Sequence, residues 1–221
     1  MGISIVKVLF IGNSHTYMNA MPRMLLSLVE ADNSGLELIV DQSTGKGVSL
    51  EWHWNHLPTR EMIAARQWDY VVLQDRSGGP LEAPESFQHH AGLLDKEIRK
   101  LGAKTIFYMT WANRHRPETQ AIIADAYAKV AKRLNAHLAP VGNAWGNVRR
   151  MNPGLNLYHE DGRHANPAGS YLTACIFYSI LFKTTPAGLP GTLRAEGNKL
   201  VDLNENQALF LQKVASESDK T

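Results

Sequence analysis

Short apolar runs alternating with amphipathic stretches of ten or more residues restrict the fold of this 221-residue chain more than any other feature. Lys7 to Ile11, Leu36 to Asp41, Trp68 to Gln74, Ala103 to Thr110 and Leu138 to Val141 read as strands. Each is short, rich in β-branched or aromatic residues, and bounded by turn-forming residues. Met21 to Glu30 reads as a helix on the spacing of Met21, Leu25, Leu28 and Val29. Glu85 to Leu101 does so on Leu93, Leu94, Ile98 and Leu101, and Glu118 to Asn135 on Ile122, Ala126, Val130 and Leu134. Ser170 to Phe182 is a largely apolar helix, and a final one is expected near Asn204 to Ala215. Crossovers of this length let successive strands run parallel, and their right-handedness covers both faces of the sheet with helices. The expected fold is therefore α/β, a three-layer α/β/α arrangement with a flavodoxin-like, five-stranded parallel sheet in the order 2-1-3-4-5. One domain over residues 1–221 is expected to hold it, with a polar tail from about 216.

Composition removes several classes of function. The net charge is +2 and no basic stripe is interleaved with aromatics, so no nucleic-acid partner is expected. Cys175 is the one cysteine, which leaves no internal disulfide framework; inside an apolar helix its role is packing. The Ser170 to Phe182 segment is too short to span a bilayer, which takes about 20 residues. No cationic stretch followed by a long apolar one opens the chain, and Ile3 to Ile11 is better used as the first strand. A cytoplasmic protein is expected if residue 1 is the natural start, a periplasmic or secreted one if a leader was removed. His89 and His90 are adjacent on a helix and face different directions. Around His159-Glu160-Asp161 and His164, the H-E-x-x-H spacing fails because position 163 is arginine. No metal and no organic cofactor are expected.

The first strand stops at Gly12-Asn13, and Ser14 stands on the turn before a helix. Both residues tolerate the dihedrals of a sharp strand exit, so strand, turn and helix aim Ser14 outward, beside backbone N–H groups able to meet a developing oxyanion. Near the other end, Asn166-Pro167 makes a helix start, which puts Asp161 and His164 on the loop before it. Three residues apart, a carboxylate can orient an imidazole, and the imidazole can take a proton from a serine and return it to a leaving group.

Gly12-Asn13-Ser14-His15-Thr16 and Asp161-Gly162-Arg163-His164 resemble the first and last blocks of the SGNH/GDSL hydrolase family, G-D-S and D-x-x-H. That resemblance implies the same sheet order, with Ser14 as nucleophile, His164 as acid and base, and Asp161 as its partner. It implies an oxyanion hole from the N–H groups of Ser14 and a glycine after the second strand, best matched by Gly47 with Gly45 as fallback. The third block departs from G-x-N-D: Gln74 falls near the family glycine and Arg76 near the asparagine. Some carbohydrate-directed esterases similar to the family carry a glutamine at this strand end, so Gln74 is the expected third donor and Arg76 a contact at the rim. His15 is expected to be a structural neighbour.

Trp52, Trp54, Trp111 and Trp145 are expected on or near loops at the active edge, where flat rings beside Asn113 and Arg114 suit a sugar. Trp52, Trp111, Asn113 and Arg76 are the expected substrate-binding residues. The reading is a serine esterase for short-chain esters, with O-acetyl groups on carbohydrate as first choice. The alternatives are a lipase or thioesterase for longer acyl chains, and a non-catalytic carbohydrate-binding protein on the same fold. A small-molecule or carbohydrate ester is the expected partner; the oligomeric state is open.

Overall fold

The computed structural model describes residues 4–218. Five strands, β1 (Ser4–Gly12), β2 (Leu36–Thr44), β3 (Tyr70–Leu73), β4 (Lys104–Tyr108) and β5 (His137–Ala139), form one parallel sheet in the order β2-β1-β3-β4-β5. This is the expected sheet. Ile3, read as part of the first strand, and residues 219–221 of the expected tail lie outside the described residues.

The alternation of side chains along β1 builds both cores at once. Val8 and Phe10 point into one apolar cluster, and Leu9 and Ile11 into the other. On the first face lie α2 (Met21–Ala31), α8 (Val141–Met151), α9 (Pro167–Phe182) and α10 (Glu205–Ser218). On the second lie α3 (Leu50–Asn55), α4 (Leu57–Ala64), α6 (Pro84–Lys100) and α7 (Gln120–Arg133). Two four-residue helices, α1 (Ser14–Tyr17) and α5 (Gly79–Glu82), sit directly after β1 and after the β3 exit. Helix α9 is buried nearly all round, with Cys175 at its centre, because it is covered by the sheet, α2 and α10. Burial pushes the Cys175 thiol far above its usual range, which fits a packing residue. No helix among the described residues is long and apolar enough to cross a membrane.

Several elements differ from the sequence reading. Residues 141–151 form a helix, where Val141 was read as the end of the last strand and Trp145 on or near a loop, and Val141, Ala144, Trp145 and Val148 carry the i, i+3, i+4, i+7 stripe that marks it. Gly142 lets this helix close on the chain, since a Cβ there would lie 2.1 Å from the Thr110 carbonyl oxygen. Helices α3 and α4 and an antiparallel hairpin of β6 (Thr192–Ala195) and β7 (Asn198–Asp202) were likewise unread. The last helix continues to Ser218, through part of the expected polar tail.

Candidate active site

Strands β1, β2 and β3 end along one edge, where the connections depart to opposite sides of β1. Such a switch point leaves a crevice beyond the carboxyl ends of the strands. A cavity of about 510 Å3 opens there, lined by Ser14, Gly47, Asp161 and His164 among others.

Asn13 caps α1 by accepting the His15 N–H at 3.1 Å, so the helix begins at Ser14 itself. The Ser14 N–H therefore has no carbonyl one turn behind it. Ser14 Oγ lies 2.8 Å from His164 Nε2, and His164 Nδ1 lies 2.6 Å from Asp161 Oδ2. The other carboxylate oxygen accepts the N–H groups of Arg163 at 2.8 Å and His164 at 2.9 Å. Slight burial opposes the charge on Asp161, but hydrogen bonds from the His164 ring and these two N–H groups outweigh it and hold the carboxyl well below its usual range. An ionised Asp161 keeps the proton on Nδ1, which leaves Nε2 to accept from the serine hydroxyl.

The loop carrying Asp161 and His164 is tied down at several points. The His159 N–H donates to the His164 carbonyl at 2.8 Å, and the Arg114 N–H to the Gly162 carbonyl at 2.8 Å. Gly162 turns the loop at φ +67°. Trp111 Nε1 donates to the Arg163 carbonyl at 2.9 Å, and Asn166 caps α9 through the Gly169 N–H at 3.0 Å. Asn19, in left-handed backbone at φ 54°, donates to both the Ala165 carbonyl and Ser170 Oγ at 2.9 Å. Asn19 was not singled out in the sequence, although asparagine's tolerance of that conformation was a signal available there.

Gly47 lines the cavity and has φ +66°, a conformation that side chains strain to adopt. Gly45 is spent on the strand end, its N–H donating to the Gly12 carbonyl at 3.3 Å. Gln74 requires a correction. Its side chain is fully buried and does not line the cavity. Its Oε1 accepts the Asn13 N–H at 2.9 Å and the Thr16 hydroxyl at 3.0 Å, while Nε2 donates to Asn13 Oδ1 and the Asp75 carbonyl. The amide is consumed in holding the serine turn, so it is not available as a third donor. Gly12 is small for the same reason: its φ is ordinary, but a Cβ would lie 2.5 Å from both Gln74 Oε1 and Thr16 Oγ1. His53, also missed, donates through Nε2 to the Gly12 carbonyl, 2.9 Å away, and burial lowers its pKa to about 4. A neutral ring whose Nδ1 meets Thr59 Oγ1 at 3.1 Å fits the carbonyl contact as a donor.

The tryptophans also differ from expectation. Trp52 stacks on His56 at 4.0 Å on the exposed side of α3, away from the cavity, and Trp54 packs against the second core. Trp111 and Trp145 lie flat on each other at 3.9 Å, both buried. Trp111 touches the cavity as a wall behind the His164 loop, and its stacking face is taken. Asn113 and Arg76 do line the cavity, with Arg76 paired to Glu82 at 2.6 Å. His15 lines it as well, packed between Trp111 at 4.8 Å and His164 at 5.3 Å. Burial lowers its pKa to about 3, with the charges of His164 and Arg163 adding to the effect. Among the described residues neither ring nitrogen of His15 has a hydrogen-bond partner.

No protein-family model and no curated protein matches this sequence. Solved structures do. A DUF4886-family protein from Bacteroides uniformis superposes with a TM-score of 0.80 at 22% identity, over 97% of this chain and 94% of that one. A putative SGNH hydrolase from Slackia heliotrinireducens gives 0.65 at 29% identity, over 77% and 96%. Axe2, an acetylxylan esterase from Geobacillus stearothermophilus, gives 0.62 at 17% identity, over 79% and 93%. These likenesses show that the chain has an SGNH/GDSL-like fold.

Proposed function

We propose that the protein is a serine esterase that removes short acyl groups from a polar alcohol. The observation that carries this reading is the unbroken chain from Ser14 Oγ to His164 to Asp161 at the wall of the cavity that Gly47 also lines. Ser14 Oγ attacks the ester carbonyl while His164 Nε2 takes its proton, and Asp161 stabilises the imidazolium. The carbonyl oxygen gains negative charge against the N–H groups of Ser14 and Gly47. Collapse breaks the ester bond, and His164 gives its proton to the departing alkoxide. Water, activated by His164, then attacks the acyl-enzyme and frees the acid. Each step uses groups already in place, and none calls for a metal or organic cofactor.

Most of the residues lining the cavity carry polar or charged side chains, and its surface is about evenly polar and apolar, which supports a hydrophilic alcohol beside a small acyl group. Carbohydrate O-acetyl esters remain the preferred class, supported by the likeness to an acetylxylan esterase. The aromatic-platform argument for a sugar does not contribute, because Trp111 and Trp145 cover each other. Hydrolysis of para-nitrophenyl acetate, butyrate and octanoate, with Ser14→Ala as control, tests the reading. Serine-dependent turnover falling with chain length is expected. Turnover that rises with chain length overturns the short-acyl assignment, and activity surviving in Ser14→Ala overturns the nucleophile.

A further inference from the structure

Four cations line the cavity around Ser14, namely Lys46, Arg76, Arg116 and Arg163, against two carboxylates, Glu82 and Asp161. The carboxylates are committed. Glu82 holds Arg76 at 2.6 Å and Asp161 holds His164 at 2.6 Å. Arg116 comes no closer than 3.7 Å to Glu118 outside the cavity, and both side chains are largely exposed. Among the described residues, neither Lys46 nor Arg163 has a carboxylate within ion-pair distance. The cavity thus carries an excess of two positive charges, as large as the +2 of the whole chain.

The placement of these cations follows the chemistry. Arg163 precedes His164, and its backbone is fixed at both ends, the N–H on Asp161 and the carbonyl under Trp111 Nε1. Arg116 belongs to the segment that docks on the same loop through the Arg114 N–H and the Gly162 carbonyl. Both therefore stand on the His164 side, where the leaving oxygen collects its proton. Lys46 immediately precedes Gly47, and both line the same cavity. A concave site ringed by one sign of charge concentrates ligands of the other sign and orients them. A neutral acetylated sugar would leave these cations without a partner.

We propose that the natural substrate is an ester whose alcohol half bears an anionic group, a carboxylate, sulfate or phosphate, received by Arg163 with Arg116 and Lys46. This rests on the esterase reading and narrows its substrate class. The test compares acetyl esters of para-hydroxybenzoate and para-hydroxybenzamide, which share an acyl group and differ in charge on the alcohol. At low ionic strength kcat/KM should favour the anionic ester by at least about ten-fold, and about 0.5 M salt should collapse the difference. Arg163→Gln and Lys46→Gln should each lower the ratio, whereas Lys132→Gln, which removes a charge at the far end of α7, should not. Ser14-dependent turnover with a ratio near unity overturns the inference and leaves the esterase reading standing. A preference for anionic acyl groups alone, read with para-nitrophenyl hemisuccinate against the butyrate, also overturns it. If neither ester is turned over, binding to Ser14→Ala by calorimetry decides. Tighter binding of the anionic ester retains the charge assignment and rejects the esterase, and equal binding rejects both.

Discussion

The Asn19 side chain donates to the Ala165 carbonyl at 2.9 Å, joining the turn that follows Ser14 to the residue after His164 across 146 positions of sequence. The same amide reaches Ser170 Oγ on α9. A 2.8 Å Ser14–His164 contact between loops from opposite ends of the chain needs such a fastener, because loops held by backbone alone drift by more than catalysis tolerates. Asn19→Ala should lower kcat by about ten-fold with a smaller change in KM, since proximity errors act on the chemical step. Asn19→Gly, which relieves the left-handed backbone but still lacks the amide, should not restore it; recovery in the glycine variant would show that backbone strain, not the tether, was responsible.

Asp161→Asn should reduce kcat by about 10^4-fold while leaving the unfolding midpoint close to wild type, because an amide favours the wrong histidine tautomer. Ser14→Ala should remove turnover to a similar or greater extent. Steady-state kinetics alongside thermal melts separate this from loss of fold, and an Asp161→Asn enzyme within ten-fold of wild type would contradict the assigned role.

Gly12→Ala should destabilise the protein by about 1–3 kcal/mol, the usual range for overpacking, because the new methyl group meets Gln74 and Thr16 head-on. Urea denaturation measures it. A neutral result would mean that Gln74 can leave the serine turn without cost.

His15→Phe should raise stability by about 1–3 kcal/mol near neutral pH by removing two buried nitrogens that have no partner. The gain should grow in acid. Burial lowers the His15 pKa from 6.5 to about 3, so between these values the unfolded chain binds a proton that the folded one does not. The stability this histidine allows is present above about 6.5 and lost as pH falls toward 3. His53 acts in the same direction down to about 4. Asp75 opposes them: burial raises its pKa from 3.8 to about 6, so its contribution is present at low pH and lost as pH rises through that window. The difference between wild type and His15→Phe cancels the Asp75 and His53 contributions, and denaturation midpoints across pH 3 to 7 should isolate the His15 part. A difference independent of pH would show that His15 titrates in the fold as it does in the unfolded chain, contrary to its burial.

Hydrophobic periodicity by itself determined the alternation of strands and helices, and with it the parallel order and the edge where a site belongs. That information is local, since apolar spacing dictates which faces of each element must be buried. The spacing of Asp161 and His164 and the turn at Ser14 were legible for the same reason. Only the tertiary structure decided which side of a chain a polar group serves. Gln74 follows a strand at the active edge, yet its amide turns inward because Asn13 and Thr16 offer it three partners. Trp111 and Trp145 stack on each other instead of on a ligand because α8, unread in the sequence, carries one against the other. Orientation of this kind depends on atoms distant in sequence, and one-dimensional patterns do not record it.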